Sequence, residues 1–171
     1  MKKYEFTGET KEIRLLFRTA TLHRIRATVA FGIVEVGDLG GWIEKEENLS
    51  HEGKAWVWGN AEVWGNAKVW GNAEVWGNAK VCGDAEVFSA SHVLVIGAIG
   101  SRNDFTTFYR DKDNEITVKC GCFLGKIDRF LEKVTQTHGD SKYALVYRAA
   151  VEVAKLQIDL SGEAPKDADE E

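Results

Sequence analysis

The sequence is poor in the residues that mark secreted and membrane-spanning chains. It holds three cysteines in 171 residues, Cys82, Cys120 and Cys122, an odd number with two of them separated by a single residue. That spacing excludes a disulfide framework and fits a reducing compartment. No apolar run is long enough for a membrane span and no leader-like stretch is present, so a cytoplasmic protein with no membrane partner is expected. Charge of one sign is scarce as well. The formal net charge is −5, and residues 161–171 carry most of it, with five acids against one lysine. The near-neutral remainder lacks the basic footprint of a nucleic-acid binder. Proline occurs once, as Pro165 in that acidic tail, which reads as disordered. The hydrophobic content of 44% is still enough for the core of one or two small domains.

What is abundant is a repeat. From Ala55 to Val87 the chain reads in sixes: AWVWGN, AEVWGN, AKVWGN, AEVWGN, AKVCGD, AEV. Within each six, Ala and Val share one strand face while the charged residue and Trp share the other. Gly-Asn then supplies a corner, since both residues tolerate positive φ. A helix is excluded, because Gly and Asn every six residues would each lower helix propensity. A fixed short period marks stacked repeats, and period six points to a three-sided unit in which residues eighteen apart neighbour each other. Trp58 then stacks on Trp76, Trp64 on Cys82 and Trp70 on Phe88. Glu62 lies against Lys80, and Lys68 against Glu86. Such exposed pairs are worth about 0.2–1 kcal/mol each and specify register more than stability.

The Val-x-Gly-Asn-Ala-x pattern resembles the hexapeptide repeat of left-handed parallel β-helix proteins. The resemblance implies a mainly β fold: a short left-handed parallel β-helix over residues 37–101, with an N-terminal β cap (1–36) and, towards the C-terminus, a helical hairpin. Further elements resemble a group of small phage and prophage proteins with such repeats: GDLGGW at 37–42, ENLS at 47–50, GSRN at 100–103, TTF at 106–108 and CGCF at 120–123. This second resemblance implies a role in the host bacterial cytoplasm as an inhibitor of bacterial immunity. The fold itself is silent on function, since it serves acyltransferases, carbonic anhydrases and passive scaffolds.

In the flanks, Lys3 to Phe6 and Leu22 to Phe31 read as strands. Residues 1–30 hold seven basic and three acidic residues, which suits a solvated cap or an anion-facing surface built on Arg24 and Arg26. Beyond Val87 the Gly-Asn corners vanish, although Ser91, Val93, Gly97 and Ile99 keep the small and aliphatic positions, so the repeat is extended to Ser101. An exit loop and strand follow over 102–122, with DKDN at 111–114 as a turn. Ile127, Phe130, Leu131 and Val134 follow helical spacing, and Gly139 closes that helix. Asp140 or Ser141 caps a second helix whose core face is Tyr143, Tyr147, Ala150, Val151 and Ala154. The hairpin spans 123–160 and the disordered tail 161–171.

Candidate sites divide by chemistry. Trp56, Trp58, Trp64, Trp70 and Trp76 on all faces of the repeat are too much apolar surface for a bare monomer. They call for cover by the chain's own helices or by a second subunit, and they are the expected homo-oligomer interface. Cys120 and Cys122 with His138 lack a fourth ligand, so packing thiols are expected and no metal or cofactor. His51 and His92 hold positions where hexapeptide acyltransferases carry a catalytic histidine, but the protruding loop of those enzymes is missing. The best polar and aromatic cluster is Arg102, Asn103, Thr106, Thr107, Tyr109 and Arg110, joined by Arg24 and Arg26. Arg forks and hydroxyls suit phosphate. The expectation is a non-catalytic oligomeric binding protein that sequesters a nucleotide signal or blocks a host protein. An acyltransferase-like enzyme and a structural scaffold are the alternatives.

Overall fold

The computed structural model describes residues 1–163; the expected disordered tail lies, from 164 on, outside the described residues. Its strands are β1 (Tyr4–Arg14), β2 (Thr19–Ala27), β3 (Leu39–Ile43), β4 (Trp56–Val57), β5 (Glu62–Val63), β6 (Lys68–Val69), β7 (Glu74–Val75), β8 (Lys80–Val81), β9 (Glu86–Val87), β10 (Val93–Ile99), β11 (Asp104–Arg110), β12 (Ile116–Cys120) and β13 (Phe123–Lys126). Two helices follow, α1 (Ile127–His138) and α2 (Lys142–Gln157). Neither is long and apolar enough to cross a membrane.

Residues eighteen apart pair in parallel: Val57 with Val75, Val63 with Val81, and Val69 with Val87. Glu62 faces Lys80 and Lys68 faces Glu86. The Gly of each corner has positive φ, from +54° at Gly59 to +68° at Gly65. The expected fold class is nevertheless corrected. The molecule is a mixed fold of several small sheets, mostly antiparallel or mixed, with two helices, and not a mainly β chain built on a continuous left-handed parallel β-helix. Corners every six residues leave ladder room for only two residues per hexad, so β4–β7 and β6–β9 are isolated pairs. The third ladder, β5–β8, joins a five-stranded sheet whose β1, β2 and β3 run antiparallel. The long strands all lie outside the hexads, where no corner interrupts them.

The extension of the repeat to Ser101 is corrected with it. Val93 and Ile99 face Tyr109 and Asp104 on β11, in an antiparallel sheet of order β10-β11-β12-β13, and not Val75 and Val81. Without Gly-Asn corners this stretch does not turn back onto the hexads and pairs instead with β11, its register shifting between Ile96 and Ile99.

Two cores result. The Ala and Val of the hexads form one, with Tyr4, Ile25, Trp56 and Tyr109; each buried Val stabilises by about 1.5–3 kcal/mol. Phe108 and Val118 form the other with Phe130, Val134, Tyr147 and Val151 of the helices. Strand β11 is the wall between them, because successive side chains point to opposite faces. The Gly40-Gly41 pair brings β3 hard against the repeat. A β-carbon on Gly41 would stand 2.5 Å from the Ala61 carbonyl oxygen, which accepts the Trp42 N–H at 2.9 Å.

Candidate functional site

The exit from β10 builds a pocket of about 210 Å³. Gly100 and Asn103, both at positive φ, form the turn into β11, and the Asn103 N–H donates to the Gly100 carbonyl at 3.2 Å. A β-carbon on Gly100 would stand 1.9 Å from the Tyr147 hydroxyl, so only glycine lets α2 close against this turn. The facing wall is the tight Cys120-Gly121-Cys122 turn between β12 and β13. A β-carbon on Gly121 would stand 3.1 Å from the Arg102 guanidinium, which folds back over that turn.

Helix α1 supplies the third wall with Lys133, Thr137 and His138. Lys133 and Thr137 lie one turn apart on the same face. The His138 ring stacks on Tyr147 at 5.7 Å, and Tyr147 is buried beneath it. Burial and the neighbouring Cys120 thiol push the Tyr147 phenol above its ordinary range, with Ser101 pulling the other way, so Tyr147 stays a neutral hydroxyl. Arg102 and Lys133 thus bring cationic heads to one small space beside Ser101, Thr137 and an aromatic pair. Asp104 is the acid of the lining. The arrangement offers charge-assisted hydrogen bonds to an oxyanion and a ring face to a planar group. A shallower dish of about 430 Å³ on the outer side of α1, lined by Asp128, Leu131, Glu132, Thr135 and Gln136, has no cation.

The structure divides the cluster expected from the sequence. Arg102 and Thr106 line the pocket; the Thr106 hydroxyl donates to the Cys120 sulfur at 3.4 Å. Asn103 shapes the turn. Thr107 and Tyr109 point to the opposite face of β11. The Thr107 hydroxyl accepts the Lys80 N–H at 3.0 Å, and the Tyr109 hydroxyl donates to the Cys82 carbonyl at 2.9 Å. The Arg110 guanidinium is buried, lies over the Phe88 ring at 4.9 Å and donates to the carbonyls of Ser161 and Gly162. It is a clamp on the segment after α2. Arg24 and Arg26 sit in the other sheet, over Trp42 at 5.5 Å and paired with Glu5 at 2.5 Å respectively.

Lys133 and Thr137 escaped the sequence reading; His138 entered it only beside the cysteines, and Tyr147, expected as core, does lie in the helical core while its ring also lines the pocket. The i, i+4 pair of polar residues flanking an apolar stripe was the available signal.

The tryptophans are largely covered by the chain itself. Trp56 is buried against Tyr4 and Phe31, Trp64 clusters with Leu22, Trp42 and Cys82, and Trp70 packs on Phe88. Trp58 stacks on Trp76 with ring centroids 4.5 Å apart, and Trp76 keeps 45% of its surface exposed. The cover comes from the N-terminal hairpin and from neighbouring hexads more than from the helices.

The histidines on which acyl transfer would rest are both engaged. His51 Nδ1 accepts the Lys3 N–H, and its ring stacks on Tyr4. His92 is buried, and its Nδ1 accepts the Phe88 N–H. Among the described residues, no three His, Cys, Asp or Glu side chains gather as metal ligands, and all three cysteines are free thiols. No protein-family model matches the chain, and no curated protein sequence matches it.

Proposed function

We propose that the chain is a non-catalytic cytoplasmic binding protein for a phosphate-bearing small molecule, with a nucleotide as the foremost ligand. The observation that supports this reading is the convergence of Arg102 from the β10–β11 turn and Lys133 from α1 on one pocket, beside the Ser101 and Thr137 hydroxyls and the His138–Tyr147 stack. At about 210 Å³ the pocket takes a phosphate and part of its bearer. The rest of the ligand lies at the mouth, where a second subunit can complete the site. That second subunit is another copy of the chain, docked through α2, where Leu145, Val153 and Leu156 stand exposed. Taken with the GDLGGW, GSRN and CGCF resemblance, the role is sequestration of a nucleotide signal, as a phage-encoded inhibitor of bacterial immunity would perform it.

Calorimetry with a panel of cyclic and linear nucleotides tests this. Arg102→Ala and Lys133→Ala should each weaken binding by about 1.5–3 kcal/mol, the worth of a charge-assisted contact. Both residues are exposed, so the fold should be unaffected. If no nucleotide gives heat with the wild-type chain, sequestration falls and blocking of a host protein becomes the better reading.

A further inference from the structure

The tip of the β1–β2 hairpin breaks the chemistry of turns. The Leu15 N–H donates to the Arg18 carbonyl at 2.8 Å, which leaves Leu16 and Phe17 as the turn residues. The run Arg14-Leu15-Leu16-Phe17-Arg18 contains no Gly, Pro, Asn, Asp or Ser, the residues that turns ordinarily use. Leu16 and Phe17 instead stand 88% and 94% exposed. Breaks of a local rule without structural gain collect at functional positions.

Beside this tip lies a cleft of about 770 Å³, within the range of about 300–1,000 Å³ typical of small-molecule sites. Trp64 and Cys82, both buried, form its floor, and Lys119, Cys122 and Leu124 of the β12–β13 hairpin form its far wall. Three cations line it, Arg14 and Arg18 from the tip and Lys119 from β12, and no carboxylate does. Arg18 is paired with Glu44, which lies outside the lining, whereas Arg14 and Lys119 have no acidic partner among the described residues. Lys119 is half-buried, and its ammonium donates to the Gly121 carbonyl. Burial pushes its pKa down, the cost of a cation withdrawn from water without a counter-charge.

We propose that this cleft is a second ligand site, distinct from the Arg102 pocket, for a small organic anion with an apolar body. The anionic group meets Arg14 and Lys119. The apolar body lies between Leu16 and Phe17 above and Trp64 and Leu124 below. The two sites share only the Gly121-Cys122 turn, which stands between them.

The test uses the full chain and the fluorescent probe 1-anilinonaphthalene-8-sulfonate, which joins a sulfonate to an aromatic body, with dodecanoate as competitor. One saturable site per chain, displaced by dodecanoate, is expected. Arg14→Gln combined with Lys119→Gln should weaken it at least tenfold, and so should Leu16→Ser combined with Phe17→Ser. Val36→Gln, exposed and outside both pockets, should leave it unchanged. Circular dichroism checks that each variant is folded, and Lys119→Arg should retain binding if charge is what matters. The proposal is overturned if binding does not saturate, if the cleft variants bind like wild type, or if Val36→Gln removes the signal. It is equally overturned if the Leu16→Ser, Phe17→Ser variant dissociates an oligomer in sedimentation, which would make the tip a contact between copies.

Discussion

Tyr109 shows how a residue that reads as a ligand group can be structural. It looks exposed in a polar run, yet its ring is fully buried among the hexad residues and its hydroxyl donates to the Cys82 carbonyl. Tyr109→Phe would leave that carbonyl without its partner. Urea unfolding should register a loss of about 1–3 kcal/mol, the cost of an unsatisfied buried group; a variant as stable as wild type would mean that the carbonyl finds water. Lys3 makes the same point from the opposite end of the chain. It is buried, and its ammonium donates to the Ala55 carbonyl at 2.7 Å. Burial pushes its pKa down to about 8, with Glu52 pulling the other way. The unfolded chain, with an ordinary lysine near 10.4, then binds more protons between these values. Stability from this group is therefore fully present above about 10.4 and lost as pH falls through about 8. Lys3→Met should flatten that rise in a pH series of denaturation midpoints.

At the level of elements, the β11–β12 connection is organised by one carboxylate. Asp111 is buried and accepts hydrogen bonds from the Thr117 hydroxyl and the Lys126 ammonium, each at 2.6 Å, and from the backbone N–H groups of Asp113 and Glu115. Burial pushes its pKa up, but these donors, Lys126 foremost, outweigh it and hold the carboxyl below the ordinary range. Its contribution is present above about pH 3.9, the ordinary aspartate value, and is lost as pH falls through the depressed folded value. Asp111→Asn should lower stability at neutral pH and make the acid limb of the stability curve shallower; parallel curves for the two proteins would assign acid sensitivity elsewhere. The sequence made DKDN legible as a turn but not Thr117 and Lys126 as its anchors, because they converge only when β12 and β13 pair. Strand β1 was half-legible for a related reason. Its register shifts between Phe6 and Thr10, so the alternation that identifies a strand is broken midway. The pairing of β10 with β11 was hidden because Val93 and Ile99 mimic repeat positions. The pocket around Arg102 was legible only on the side of β11, since its helical wall depends on how α1 docks.

In the whole molecule, β11 belongs to both cores, with Phe108 on the helices and Tyr109 on the hexads. All six tryptophans precede β8 and both helices follow β13. Tryptophan fluorescence and far-ultraviolet circular dichroism therefore report on different halves. A shared wall should make their denaturant transitions coincide; separated midpoints would show that the halves unfold independently. The eighteen-residue pairing also limits how the repeat can lengthen. Duplicating any single unit between Ala61 and Asp84 would break the Glu/Lys alternation and set like charges opposite each other. Adding two units keeps opposite charges paired but moves the exit towards β10 to a different side. Adding three keeps the side but interrupts the alternation. Six added units are the smallest gain that satisfies both, so a chain lengthened by six units should keep its fold, while one with a single duplication should lose register and lower its urea midpoint.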